Sequence, residues 1–251
     1  MDKSFLKGLA ALDLLAQSEG PVGVTQLARA MGITPSNAHR LLQALVATDF
    51  ARPVGARGGY EATLKLWRLG ARTVARLDVK AIAAPHLARL MAEAQETANL
   101  SVLDGHHMVY VDRVETDVYF RAYNQIGGQY PLHCTGTGKV LLAYADDAVQ
   151  AMALTDLRPF TPRTIVDPAK LMAELERIRA EGIATTMSEF REGIASVAAP
   201  VIGAHGRVVA ALGVSGPLSR LKPARMRLLR DMVRTTSARV SRLLGAPGPE
   251  S

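Results

Sequence analysis

The chain has one cysteine in 251 residues, Cys134, so it forms no internal disulfide and fits a reducing compartment. Aromatic residues make up only 5% of it, too few for the stacking platforms of a single-strand RNA reader. No apolar run approaches the ~18 residues of a membrane span. The first residues lead into an amphipathic pattern interrupted by Lys7 and Asp13 rather than into a signal sequence. These absences create the expectation of a soluble, cytoplasmic protein with no membrane partner.

What the chain does have is apolar residues at 48% and a formal net charge of +7. The length suits two domains with cores of their own. Residues 1–80 carry 11 Lys+Arg against 6 Asp+Glu, so +5 of the +7 sits at one end. Such a field favours association with a polyanion but carries no sequence information.

Within that end, Val24 to Ala47 reads VTQLARAMGITPSNAHRLLQALVA. Thr34 can cap a helix and Pro35 suits its first position, so a helix is expected to start sharply there. Ala38, Leu41, Leu42 and Leu45 recur at helical spacing and form a packing face. Leu27, Ala30 and Met31 supply the apolar stripe of the preceding helix, and Gly32 suits the tight turn between the two. This is the pattern of a helix-turn-helix. Ser36, Asn37, His39, Arg40 and Gln43 are left to face outward, and Thr25 near the start of the first helix joins them as a candidate DNA contact. Arginine can fork onto guanine or phosphate, and asparagine or glutamine can pair with adenine. An ordinary helical hairpin with a solvated polar face would share these features.

The next segment favours the DNA reader. Phe50 to Val54 and Tyr60 to Ala62 read as two strands around a Gly-rich loop, a wing that carries Arg52 and Arg57 toward phosphate or the minor groove. Ser4 to Ala16 supplies a helix ahead of the motif. Leu64 to Leu77 reads as a linker helix whose Trp67 covers either another subunit or its own winged domain. A further helix follows from about Val79 to Glu96.

From Leu100 the pattern changes. LSVLDG, MVYVDRVE and VYFRAYN are strand candidates, TGKVLLAY and PAKLMAELERIRAEG helices, ASVAAPVIG and VVAALGVSG strands, and a basic helix runs from about Pro223 to Leu244. An α+β domain with an antiparallel sheet is expected, with room for a small-molecule pocket. The expected boundaries are 1–63 for the winged domain, 64–78 for the linker helix, 79–247 for the second domain and 248–251 for a tail.

Catalytic motifs fail one by one. Gly136-Thr137-Gly138-Lys139 resembles a phosphate loop, but His133 stands where its first glycine belongs and Val140 follows the lysine. Ser215 resembles a nucleophile elbow, yet Pro217 replaces its last glycine. Cys134 beside His133 lacks metal spacing, as do His106 and His107. No enzyme activity, metal or cofactor is expected. The glycine-rich entry to a helix can instead seat a carboxylate on unpaired N–H groups, or can simply let helix and strand pack closely.

Taken together, the chain resembles the IclR-type transcriptional regulators over nearly its whole length. The motifs are LARAMGITPSNAHRLLQAL, the wing ending at Tyr60 and the Leu66 to Gly70 segment, then QETANLSVLDG, VYVDRVE, IGGQYPLHCTGTGKVLLA, IRAEGIATTMSEFREGIASVAAPVIG and VVAALGVSGPLSR. The resemblance implies an N-terminal three-helix winged helix-turn-helix and a GAF-like α/β effector domain. It also implies a homodimer formed through the DNA-binding half, or a dimer of dimers. Family effector contacts fall on the backbone at Gly136 and Thr137, and on Ile194, Ser196, Gly213 and Ser215. Members that bind very small oxo-acids have cysteine where Ser196 stands and serine where Gly213 stands. That departure implies extra room and a larger or aromatic carboxylate, with Tyr130, Leu132 or Met187 near it.

The expected function is sequence-specific binding to an imperfectly palindromic double-stranded operator, controlled by a small organic acid. The alternative is a small-molecule-binding or enzymatic α/β domain with an N-terminal dimerisation module. A polar face at Ser36 to Gln43 beside a wing is what that alternative does not require.

Overall fold

In the computed structural model, residues 3–55, 58–74, 78–116 and 125–247 are described. The chain forms two compact units, Met1–Arg76 and Leu77–Ser251. The wing cation Arg57, the strand candidate VYFRAYN and the tail 248–251 lie outside the described residues.

The first unit contains α1 (Lys3–Gln17), β1 (Val22–Gly23), α2 (Val24–Met31), α3 (Pro35–Ala47), β2 (Ala51–Val54), β3 (Gly59–Ala62) and α4 (Lys65–Val74). Ala11 and Leu15 of α1, Leu27 and Ala28 of α2, and Ala38, Leu42 and Leu45 of α3 meet in one core with Tyr60. The sequence pattern places Ala30 on that stripe, but the helical turn brings Ala28 inward and leaves Ala30 exposed. β1 extends the wing into a three-stranded antiparallel sheet in the order β1-β3-β2, with Tyr60 opposite both Val22 and Pro53. Pro53 is tolerated because β2 is an edge strand.

The turn between α2 and α3 is built as the residue types require. Gly32 adopts φ +62°, and Ile33 donates its N–H to Ala28 O at 3.0 Å, closing the last turn of α2. Thr34 caps α3 by accepting from the Asn37 N–H, with Pro35 in the first turn. α4 is docked at its start, where Lys65 Nζ donates to Thr48 O at 2.7 Å and lies 4.4 Å from the Phe50 ring centroid. Around that anchor apolar side chains are open: Leu64, just before the helix, is 78% exposed, and Trp67 on it 69%.

The second unit contains α5 (Asp78–Ala94), β4 (Thr97–Asp104), β5 (His107–Val114), β6 (Gln129–Tyr130), α6 (Gly136–Ala143), α7 (Asp147–Thr155), α8 (Pro168–Glu181), β7 (Ala184–Met187), β8 (Ile194–Ile202), β9 (Val208–Pro217) and α9 (Pro223–Leu243). The strands form one six-stranded antiparallel sheet in the order β6-β5-β4-β9-β8-β7. Alternation assigns its two faces. Ala98, Leu100, Val197, Leu212 and Val214 pack with α5 and α9, whereas Met108, Tyr110, Ala184, Ala198 and Ala211 pack with α6 and α8. No helix among the described residues is long and apolar enough to cross a membrane.

Gly32 offers a clean test of the turn, because a Cβ there would meet nothing within 4 Å. The cost of Gly32→Ala is therefore conformational alone, about 1–2 kcal/mol for an L-residue held at positive φ. Urea denaturation of the variant should show that loss. An unchanged midpoint would mean that the turn relaxes out of the left-handed region.

Candidate DNA-reading surface and effector pocket

On α3 the ~100° turn per residue sets Ser36, His39, Arg40 and Gln43 within an arc of about 100°, opposite the buried Ala38 and Leu45. All four are exposed. Gln43 Nε2 donates to the Tyr60 hydroxyl at 3.3 Å and lies 3.5 Å from His39 Nε2, so this face is braced against the wing strand. Asn37 stands at the edge of the arc, where it lines a groove between α1 and α3 together with Phe5, Leu9 and Arg40. Thr25 is exposed in the first turn of α2. Arg52 is exposed on β2 and its Nε donates to Glu61 Oε1 at 2.7 Å across the hairpin. A surface pair of this kind contributes little to stability and can exchange its carboxylate for a phosphate.

The pocket of the second unit lies where α6 begins over the sheet. It is built from small side chains. Cross-strand pairs put Asn99 opposite Gly213, Gly213 opposite Ala198 and Ala198 opposite Ala184 on one row. That row lets α6 approach closely: a Cβ on Gly213 would meet Thr137 Cγ2 of α6 at 3.2 Å, besides Val197 O and Ala198 Cβ of the neighbouring strand. The neighbouring row, Thr97, Ser215, Ser196 and Thr186, carries hydroxyls, and Thr186 and Ser196 share a hydrogen bond of 2.6 Å. Gly136, Thr137, Ile194, Ser196, Gly213 and Ser215 all line this one cavity, whose empty volume including its open mouth is about 510 Å³.

The start of α6 is left open to a ligand. Thr135 occupies the N-cap position but makes no cap hydrogen bond; its hydroxyl donates to Pro131 O at 2.9 Å. The Thr137 hydroxyl is turned toward the sheet, where it accepts from Ser101 Oγ at 2.9 Å and lies 3.1 Å from Met108 Sδ. First-turn N–H groups of Gly136 and Thr137 thus lack a capping side chain at the positive end of the helix.

Sequence reasoning missed the other wall. Asn99, Tyr110, Thr186, Phe190 and Arg191 also line the cavity. Phe190 and Arg191 sit in the loop between β7 and β8, where Ser188 adopts φ +59° and Thr164 Oγ1 donates to Glu189 O at 2.6 Å. The Arg191 guanidinium carbon lies 5.6 Å from the Phe190 ring centroid. The EFRE run itself carried the signal, an aromatic beside a cation between two strands.

Three expectations about the pocket need correction. Met187 is exposed, since alternation on β7 turns it away from the face that holds Thr186. Leu132 is buried in the core beneath α6 and α8; Tyr130, by contrast, is near the pocket as expected, packing edge-on against its lining residues Tyr110 and Phe190. The room expected from glycine at 213 is also absent, because Ala198 and Thr137 close over it.

Lys139 is the residue that a phosphate loop would aim at a nucleotide. Here it is 1% exposed and its Nζ lies 2.6 Å from Glu189 and 3.6 Å from Glu174. Burial pushes the Glu189 carboxyl above its ordinary range while Lys139 opposes the shift. Burial also pushes the Cys134 thiol up to about 12, with the Glu189 charge adding to it, so the thiol is a poor nucleophile.

The Lys139–Glu189 pair ties α6 to the loop that carries Phe190 and Arg191. Lys139→Met leaves a buried carboxylate without its counter-ion and should cost about 3–5 kcal/mol, whereas Lys139→Met with Glu189→Gln should recover most of that loss. Chemical denaturation of the three proteins decides the matter. Equal destabilisation of the single and double variants would show that the charges are not coupled.

Comparisons place this geometry in a family. Residues 71–242 match the model described as "Bacterial transcriptional regulator IclR C-terminal", and residues 4–55 match the IclR helix-turn-helix domain. The HTH-type transcriptional repressor AllR of Salmonella typhi is 32% identical over 245 residues, covering 97% of this chain and 90% of the relative. The crystal structure of Thermotoga maritima IclR superposes with a TM-score of 0.79 at 29% identity, over 96% of this chain and 98% of that one. An IclR homologue from Microbacterium hydrocarbonoxydans, solved with 4-hydroxybenzoate, shares the fold with a TM-score of 0.82 at 22% identity, over 96% and 100% of the two chains. The chain belongs to the IclR family of transcriptional regulators.

Proposed function

We propose that this protein is a sequence-specific repressor that binds operator DNA through α3 and the wing and is controlled by a small organic acid held at the start of α6. One observation carries the effector class: the described pocket residues include one guanidinium, Arg191, and no carboxylate, around a helix start without a capping side chain. Tyr110 and Phe190 give the cavity two aromatic walls, which suits an aromatic acid, the type of ligand bound by the Microbacterium homologue. Repression is inferred from the AllR relatives. A binding role also fits the serine: Ser215 Oγ has Asn99 at hydrogen-bond distance, and no histidine is among the described residues that line the cavity.

A homodimer agrees with the apolar side chains that the single chain leaves open. Leu9 on α1, Leu64 just ahead of α4 and Trp67 and Leu69 on α4 stay exposed outside the core of the unit. Two equivalent recognition helices then call for an imperfectly palindromic site, and the protein is expected to work in the cytoplasm, where its operator is.

Gel shifts on the intergenic DNA upstream of its own gene test this reading. Specific binding should exceed binding to random duplex at physiological salt, and Arg40→Ala should weaken the specific complex about tenfold or more, the loss expected for one bidentate base contact. No preference over random DNA would sink the proposal. So would an Arg40→Ala protein that binds both duplexes as the parent does.

A further inference from the structure

Asn99, on the sheet wall of the effector pocket, carries an unused acceptor. Asn99 is 3% exposed, and its Nδ2 donates to Ser215 Oγ at 3.1 Å and to Thr97 O at 3.4 Å. The Thr97 carbonyl can only accept, so it fixes which end of the amide is nitrogen. Asn99 Oδ1, closed off from solvent, has no hydrogen-bond partner among the described residues. A buried acceptor in that condition costs free energy that an occupant supplying a donor would return.

Its surroundings narrow the chemistry. Ser215 Oγ accepts from Asn99 and keeps its own proton to give, so acceptor and donor stand side by side on one wall. A hydroxyl or a secondary amide complements that pair. A carboxylate does not, because one of its oxygens would face Oδ1. The carboxylate has its seat elsewhere, at the open N–H groups of Gly136 and Thr137 with Arg191 in the same cavity. Ser196 and Thr186, lying between the two ends on the hydroxyl row, share one hydrogen bond, which leaves one of their two hydroxyl protons to give.

We propose that Asn99 reads the effector: the site takes a carboxylate that also bears an O–H or N–H donor, and Asn99 Oδ1 accepts that donor. This rests on the reading of the pocket as an organic-acid site. It adds a requirement that neither the helix start nor Arg191 imposes, since both would hold any carboxylate of suitable size.

The test compares matched acids by thermal shift and calorimetric titration on the full chain: lactate with propionate, 4-hydroxybenzoate with benzoate, and N-acetylglycine with N-acetylsarcosine. In at least one pair the donor-bearing acid should bind about tenfold tighter or more, the penalty of leaving a buried acceptor unpaired. In Asn99→Leu, which keeps the bulk of the side chain and removes its acceptor, that gap should vanish while carboxylate binding persists. Equal affinities within every pair, or a gap that survives in Asn99→Leu, overturn the role of Asn99 and leave the organic-acid reading intact. No binding by any of the six acids overturns both. Should circular dichroism show that Asn99→Leu does not fold, the wild-type pairs decide alone.

Discussion

The ion pair between Lys139 and Glu189 is the constraint on which the effector pocket depends. A lysine taken out of water needs a counter-charge at short range, and its Nζ finds one at 2.6 Å from Glu189 with Glu174 a little farther off. Each partner belongs to a different structural piece: Lys139 to α6, Glu189 to the loop between β7 and β8, Glu174 to α8. Glu174 is drawn from both sides. Burial pushes its carboxyl up, but hydrogen bonds from Arg177 and the Lys139 charge outweigh that and hold it below its ordinary range. The charge buried under the pocket thus pins a helix, a loop and a second helix at one point, and the loop brings Phe190 and Arg191 with it.

That pinning explains why the helix start can remain open. A helix usually satisfies its first N–H groups with its own cap residue, as α3 does with Thr34 and α8 does with Asp167. α6 does not: the Thr135 hydroxyl donates to Pro131 O and accepts no first-turn N–H. Its position is held instead by Lys139 from below and by the glycine and alanine row of the sheet from the side. A Cβ on Gly136 would strike Ser196 Oγ, so glycine is required here for close approach rather than for an unusual backbone angle. The sequence reading left two uses of TGTGK open, anion binding and close packing. The geometry needs the second in order to leave room for the first.

How much of this was legible in the chain depended on whether the signal was local. The cap at Thr34, the turn at Gly32 and the hairpin around residue 57 are set by neighbours in sequence, and α2, α3, β2 and β3 fall where those residues put them. The six carried-over pocket residues meet in one cavity because a family pattern encodes a fold that spacing alone does not. α7 and β7 went unread. α7 has no fully buried residue and hence no strong apolar stripe, and β7 is four residues, of which Thr186 faces a polar cavity and Thr185 takes a hydrogen bond from Arg230 on the other face. Asn99 was hidden for a different reason. Its importance lies in what its amide fails to bond, which depends on Ser215, 116 residues away.

A ligand can change DNA affinity only by binding one arrangement of the protein better than another. The covalent order of the chain makes β4 the element through which such a preference would act. Asn99 sits on β4, which follows α5 after a single tight residue, Gln95 at φ +52°, and Glu96. The Glu96 carboxylate takes both guanidinium nitrogens of Arg220 at 2.7 and 2.6 Å, and Gly216 has no Cβ to obstruct it. α5 in turn buries Val79, Ala83, Leu87 and Leu90 against the same side of the sheet as α9. β4 and α5 are therefore joined by a short, tight connection and share one packed face of the sheet. An effector bonded to Asn99 would bear on β4 and, through that short connection, on α5. A ligand held by the α6 helix start alone acts on an element pinned by Lys139, which gives it little to move.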